Sequence, residues 1–177
     1  MIFICHGMRR IRMASFYERR MAEKTDLDRI DRKILDILQT DCTRSVADIG
    51  EAVGLSATPC WKRIKRLEND GVIERRVAIL SRERLGLGVT VIVAIRTAKH
   101  SDAWLETFSH GVAQIPEVVE FYRMSGEIDY LLKVVAHDIA DYDRIYRKLT
   151  KVVELHDVSS SFAMQEIKST TALPLFD

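Results

Sequence analysis

Two clusters of ionisable side chains in this chain are spaced to act on a charged partner. The first is cationic. Lys62, Arg63, Lys65 and Arg66 crowd into the stretch LSATPCWKRIKRLENDGVI, residues 55–73. Cations at that density can neutralise phosphates and release their counterions. A solvated helix face is the plain alternative. The second cluster is anionic: Glu127 and Asp129 flank Ile128 in SGEIDY, residues 125–130. Paired carboxylates can perform acid–base catalysis. In a loop joining two strands they serve more often as turn formers or as anchors for a cationic ligand group.

Other chemistry finds little support. The three cysteines, Cys5, Cys42 and Cys60, form no C-x-x-C pair, and the five histidines show no metal-ligand spacing. No nucleophile–base pair, phosphate loop or metal cluster is evident, so the reading is a non-enzyme without cofactor or metal. The odd, sparse cysteines fit a reducing cytoplasm, and no apolar run approaches the roughly 18 residues of a membrane span. Net charge is only +1, but residues 1–76 carry 16 Lys/Arg against 12 Asp/Glu, and the remainder 11 against 14. A basic front and a mildly acidic rear suggest two modules with different partners. Residues 1–24 lack core periodicity and carry internal methionines at 8, 13 and 21. They read as a poorly ordered or artefactual extension, with a basic DNA-touching arm as the alternative.

The elements that must position the cations occupy residues 25–76. LDRIDRKILDIL, 27–38, places Leu27, Ile30, Ile34 and Leu38 near one helical face, with Thr25 or Asp26 as cap. Ser45, with Asp48 three residues on, opens a short helix that Gly54 ends. Ser56 or Thr58 caps the next, and Pro59 suits its first turn. There Cys60, Ile64 and Leu67 face inward, and Lys62, Lys65, Arg66 and Asn69 lie opposite. Two short helices joined by a tight turn form a helix-turn-helix, whose second helix enters the major groove with its start against base edges. Ser56, Ala57, Thr58, Trp61, Lys62, Lys65 and Arg66 are therefore the expected DNA contacts.

After a linker at 77–88, residues 89–177 change period. Strand-like segments at 89–97, 118–124, 129–136 and 158–167 alternate with helical patterns at 101–115 and 138–150. The order β-α-β-β-α-β is the ferredoxin-like split unit, an α+β arrangement that leaves one sheet face without helices. That face needs a partner, so dimerisation through it is expected.

LDRIDRKILDILQTD, LSATPCWKRIKRLENDGVI and MSGEIDYLLKVV together resemble the Lrp/AsnC (feast/famine) transcriptional regulators, in the family's order from about residue 26 to 174. The resemblance implies a winged helix-turn-helix domain followed by a ferredoxin-like RAM domain. It implies homodimers assembling to tetramers or octamers, and a small amino-acid effector bound between RAM domains. The family's ligand-loop pattern falls on Gly126, Glu127, Asp129 and Tyr130. The resemblance adds Met124 from the strand before, and Ser161, Phe162 and Ala163 from the last strand. TPCWKRIKRLE, GLGVT and SSFAMQEIKSTTALP resemble a subgroup concerned with cysteine detoxification, which implies L-cysteine as effector. Asp129 or Glu127 would meet the ligand ammonium, and N–H groups around Gly126 its carboxylate. Asp129 acting only as a turn pin is the alternative for that residue. The alternative for the whole is a DNA-organising protein with no ligand response.

Overall fold

In the computed structural model of the protein, the described residues are 25–98 and 101–175. The expectation for residues 1–24 lies outside them. The described chain divides into two compact units: residues 25–79 with 168–175, and residues 80–98 with 101–167.

The first unit contains three helices, α1 (Arg29–Thr40), α2 (Val46–Val53) and α3 (Ala57–Asn69). Ile34, Leu35, Ile49, Val53, Cys60, Ile64 and Leu67 form its core, drawn from all three. Burying each of the larger side chains contributes about 1.5–3 kcal/mol. Helix α1 starts later than expected. Its cap is Asp28, not Thr25 or Asp26: Asp28 accepts from the Asp31 N–H at 2.8 Å, and the Asp31 carboxylate accepts from the Asp28 N–H at 3.2 Å. This reciprocal pair satisfies two donors that the helix start leaves unpaired. Ser45 caps α2 through the Asp48 N–H as expected, and Gly54 ends it at φ 76°, a left-handed conformation that suits glycine. The described residues of this unit contain no strand, so the wing implied by the resemblance is not formed there. The end of the chain returns to this unit. Gln39 donates to the Leu173 carbonyl at 3.0 Å and accepts from the Leu173 N–H at 2.9 Å, and Leu175 packs on the core. The rear module was expected to run to residue 177; instead residues 168–175 belong with the helices.

The second unit has the order β1 (Val89–Arg96), α4 (Asp102–Ala113), β2 (Val118–Arg123), β3 (Tyr130–Ala136), α5 (Ile139–Thr150), β4 (Asp157–Phe162). The sheet order is β2-β3-β1-β4, antiparallel throughout. Alternate residues Val91, Val93 and Ile95 of β1, and Tyr130, Leu132 and Val134 of β3, are buried in one core with Phe108 and Val112 of α4 and Tyr142, Ile145 and Leu149 of α5. The opposite face carries the other half of the alternation. Registered rows there run Tyr122–Leu131–Ala94–Ser159 and Glu120–Lys133–Ile92–Ser161. Strand β4 stops at Phe162, five residues short of the expected end. Its partner β1 begins at Val89, and the Ala163 N–H bonded to the Thr90 carbonyl is the last link. Among the described residues no helix is long and apolar enough to cross a membrane.

Two expectations follow. A Cβ at Gly111 of α4 would lie 2.2 Å from Val152 Cγ1 and 3.2 Å from its Cβ. Alanine ordinarily gains about 0.5–1 kcal/mol over glycine inside a helix, but forcing a methyl into a filled core costs about 1–3 kcal/mol. Gly111→Ala should therefore lower unfolding free energy in urea by about 1–2 kcal/mol. The second concerns acid. Asp28 is held at a pKa of about 2, below the ordinary 3.8, first by the Asp31 N–H and then by Arg63. A depressed carboxyl stabilises the fold above its unfolded pKa, and that contribution is lost as pH falls through about 2. Asp28→Asn should flatten the loss of helical signal between roughly pH 4 and pH 2, followed by circular dichroism.

Candidate functional site

The cations of α3 do not share one role. The Asp31 carboxylate is fully buried between α1 and α3. Its Oδ1 accepts from Arg63 Nη1 at 2.9 Å, and its Oδ2 accepts from Arg66 Nη2. Arg63 also reaches Asp28 at 2.6 Å, and these carboxylates push its pKa further up. Lys65 pairs with Glu68 at 2.6 Å, and Arg76 joins the other oxygen of Glu68 at 3.0 Å. Lys62 has no ion-pair partner among the described residues and is exposed. Sequence reasoning missed Asp28 and Asp31. Their only signal is two carboxylates one turn apart at the start of an amphipathic helix, a pattern that also describes an ordinary solvated flank.

The start of α3 is open. Ser56, Ala57 and Thr58 are exposed, and the Ser56 hydroxyl, although at the cap position, makes no capping bond. Trp61 is 50% exposed beside Lys62. The structure thus brings six expected contacts, Ser56, Ala57, Thr58, Trp61, Lys62 and Lys65, onto one exposed helix. The seventh, Arg66, is half exposed but holds Asp31 as well.

In the second unit the expected effector residues divide. Gly126 turns the β2–β3 loop at φ 127°, a backbone state that L side chains rarely adopt. Asp129 is tied on three sides: its N–H donates to the Ile95 carbonyl at 2.9 Å, its carbonyl accepts from the Met124 N–H at 2.8 Å, and its Oδ2 accepts from the Thr97 N–H at 2.8 Å. Asp129 thus pins the loop to the end of β1, while Oδ1 makes no hydrogen bond among the described residues. Glu127 is 95% exposed, 3.8 Å from Arg96. Tyr130 differs from expectation. Its side chain is buried against Trp104, Phe108 and Phe121, and burial pushes its phenol pKa up, so it is a core residue. Met124 is exposed at the loop start.

On β4 the expected trio also separates. Ser161 lies in the open-face row with Ile92, while the Phe162 ring turns to the helix face and meets Tyr142 edge-on at 5.3 Å. Adjacent strand residues point to opposite faces, so these two side chains cannot both line a ligand from one face. Ser160, beside them, is engaged by the Tyr142 hydroxyl. A depression of about 430 Å³ on α5, lined by Asp143, Arg144, Arg147, Lys148 and Lys151, contains none of the effector residues. Its cations are largely matched by Glu117, Asp141 and Asp143. No group of three or more side chains suited to a metal occurs among the described residues.

Residues 27–68 match the AsnC-type helix-turn-helix domain, and residues 90–173 match the Lrp/AsnC ligand binding domain. The glutamate uptake regulatory protein of Zymomonas mobilis is 53% identical over 149 residues, 84% of this chain and 91% of that protein. The DNA-binding transcriptional activator DecR of Escherichia coli is 51% identical over 150 residues, 84% of this chain and 99% of that protein. Among solved structures, the transcriptional regulator NMB0573 of Neisseria meningitidis, in complex with L-Met, superposes with a TM-score of 0.78 at 33% identity, covering 84% of this chain and 97% of that one. With an exposed recognition-type helix in one unit, a helix-backed sheet in the other, and both domain types matched in order, the chain belongs to the Lrp/AsnC family of DNA-binding transcriptional regulators.

Proposed function

We propose that this regulator binds duplex DNA through the start and exposed face of α3 and changes that binding when a small amino acid, L-cysteine first among candidates, occupies the β2–β3 loop. The observation that carries the DNA side is the division of labour on α3. Arg63 and Arg66 fix the helix to α1, and Ser56, Thr58, Trp61 and Lys62 stay exposed with no internal task. Phosphate neutralisation then falls first to Lys62, with Lys65 and Arg66 sharing it.

The effector side rests on Asp129 and Gly126. An Asp129 oxygen outside the Thr97 bond is an acceptor suited to an ammonium, and the glycine bend lets a carboxylate approach main-chain N–H groups closely. Small hydroxyls at Ser159 and Ser161 favour a small or polar ligand side chain over a large aliphatic one. DecR is a relative, and an L-Met complex exists for a structural neighbour. The open sheet face, with Ile92, Ala94 and Leu131 at its centre, is the dimer surface in this reading. The ligand then sits between sensor domains of neighbouring dimers, as tetramers or octamers form.

On the DNA side, Lys62→Ala should weaken operator binding and reduce the salt slope by about 0.9 in log–log form, without changing the melting temperature. Arg66→Ala should weaken binding and also lower the melting temperature, because it leaves Asp31 with one guanidinium fewer. Fluorescence anisotropy across a salt series reads both. Unchanged affinity and slope in Lys62→Ala would remove α3 from the contact surface.

On the effector side, Asp129→Asn keeps an acceptor for the Thr97 N–H but removes the charge. Losing a charge-assisted bond costs about 2–3 kcal/mol, roughly 30- to 150-fold in affinity. Calorimetry under reducing conditions with L-cysteine, L-glutamate and L-methionine should show that loss while thermal unfolding stays near wild type. Equal binding by Asp129→Asn sinks the ammonium assignment. No binding by the wild type, with DNA binding intact, favours a DNA-organising role.

A further inference from the structure

The chain passes between the two units twice, between Ile79 and Leu80 and between Ile167 and Lys168. One guanidinium stands beside both crossings. Arg82 Nη2 pairs with Glu166 Oε2 at 2.5 Å, and Arg82 Nη1 donates to Thr90 Oγ1 at 2.5 Å. Thr90 in turn accepts the Ala163 N–H on its carbonyl at 2.9 Å, the last link of β4 to the sheet. The side chain and the main chain of one residue thus hold the linker on one side and the effector strand on the other.

The linker itself is wound into a turn. The Leu85 N–H donates to the Ser81 carbonyl at 3.2 Å, and the Leu87 N–H to the Arg82 carbonyl at 2.8 Å. His137, at the entry to α5, donates from Nδ1 to the Gly86 carbonyl at 2.9 Å. The turn is therefore fastened to the second unit at both ends. An ion pair as exposed as Arg82–Glu166, at 25% and 41%, adds little to stability. Its value is geometric: a planar guanidinium holds two acceptors at a fixed angle, which a lysine would not.

We propose that Arg82 is a positioning residue that couples the effector strand to the DNA-binding unit. A ligand against Ser161 and Ala163 moves the end of β4. Thr90 and Glu166 move with it, and Arg82 carries that displacement to the first crossing while Glu166 sits next to the second. The coupling rests on the effector reading above; the clamp rests on the contacts alone.

The test uses the full-length protein and the variants Arg82→Ala and Thr90→Val. Hydrogen exchange of the unliganded protein reads the clamp. In Arg82→Ala the amides of Leu85, Leu87 and Ala163 should exchange at least about five-fold faster, with smaller acceleration in Thr90→Val and core strand amides unchanged. Anisotropy with operator DNA, with and without L-cysteine, L-glutamate or L-methionine, reads the coupling. Wild-type affinity should change by about 5- to 150-fold with the active amino acid. Arg82→Ala should hold that change under about two-fold, with unliganded DNA affinity and amino-acid affinity both within about three-fold of wild type. Exchange unaltered in both variants overturns the clamp. A full response in Arg82→Ala overturns the coupling. A wild type unresponsive to all three amino acids overturns the sensor reading and the coupling with it, and leaves the exchange result to decide the clamp.

Discussion

The buried carboxylate of Asp31 decides what the DNA-binding unit can present. A carboxylate removed from water is costly unless charge and hydrogen bonds replace its hydration. Arg63 and Arg66 of α3 supply both, together with the Asp28 N–H of its own helix start. The two guanidiniums remain partly in solvent, so the pairing desolvates one ion far more than the others. The geometry fixes the rotation of α3 about its axis. Once Arg63 and Arg66 point at α1 and Cys60, Ile64 and Leu67 point into the core, Trp61 and Lys62 have only solvent left to face. A feature that looks like a uniform basic helix is therefore a bracket on one flank and an exposed surface on the other.

In the sensor unit the equivalent constraint is the two-residue period of a strand. Helices cover one face of the sheet, and every second residue of β1 and β3 is spent there. The other half must make the open face, which is why Ile92, Ala94 and Leu131 lie in registered rows beside a Lys133–Glu120 pair at 3.1 Å. Apolar centre and paired charges at one side suit a protein partner better than water. The same period separates Ser161 from Phe162. A residue list taken from resemblance carries no information about faces; the register supplies it.

Much of this was legible from local pattern. The start of α2 at Ser45, its stop at Gly54, the inward trio of α3 and the order of the second unit all follow from caps and periodicity, which act within a few residues. The failures involve distant residues. Asp31 reads as a polar flank until Arg63 and Arg66, more than thirty positions away, are placed beside it. VSSSFAMQEI continues as a strand on propensity, but β1 begins at Val89, and the Ala163 N–H bonded to the Thr90 carbonyl is the last link of β4 to it. Tyr130 follows Asp129 in the ligand-loop pattern, yet its ring completes an aromatic cluster with Trp104, Phe108 and Phe121. The return of Leu173 and Leu175 to the helices has no signal in the tail's own composition.

Effector choice belongs to a different scale from fold. Two relatives at 53% and 51% identity carry different regulatory names, glutamate uptake and DecR, so overall similarity at this level ranks neither above the other. The physical reason is that the features common to every amino acid ask only for general groups. An ammonium needs a carboxylate oxygen, and a carboxylate needs main-chain N–H donors. In the proposed reading Asp129 and the bend at Gly126 would provide for both, whatever the side chain. Selection then depends on the few groups that meet the side chain itself. In the proposed site those would be the small hydroxyls of the open face and the Arg96–Glu127 pair, with Ser160 already taken by Tyr142. In the proposed reading a small polar side chain would lose least on entering such a place, because its own hydrogen bonds would be replaced there. A long aliphatic one would leave the hydroxyls without water and without a partner, and an unpaired polar group costs about 1–3 kcal/mol.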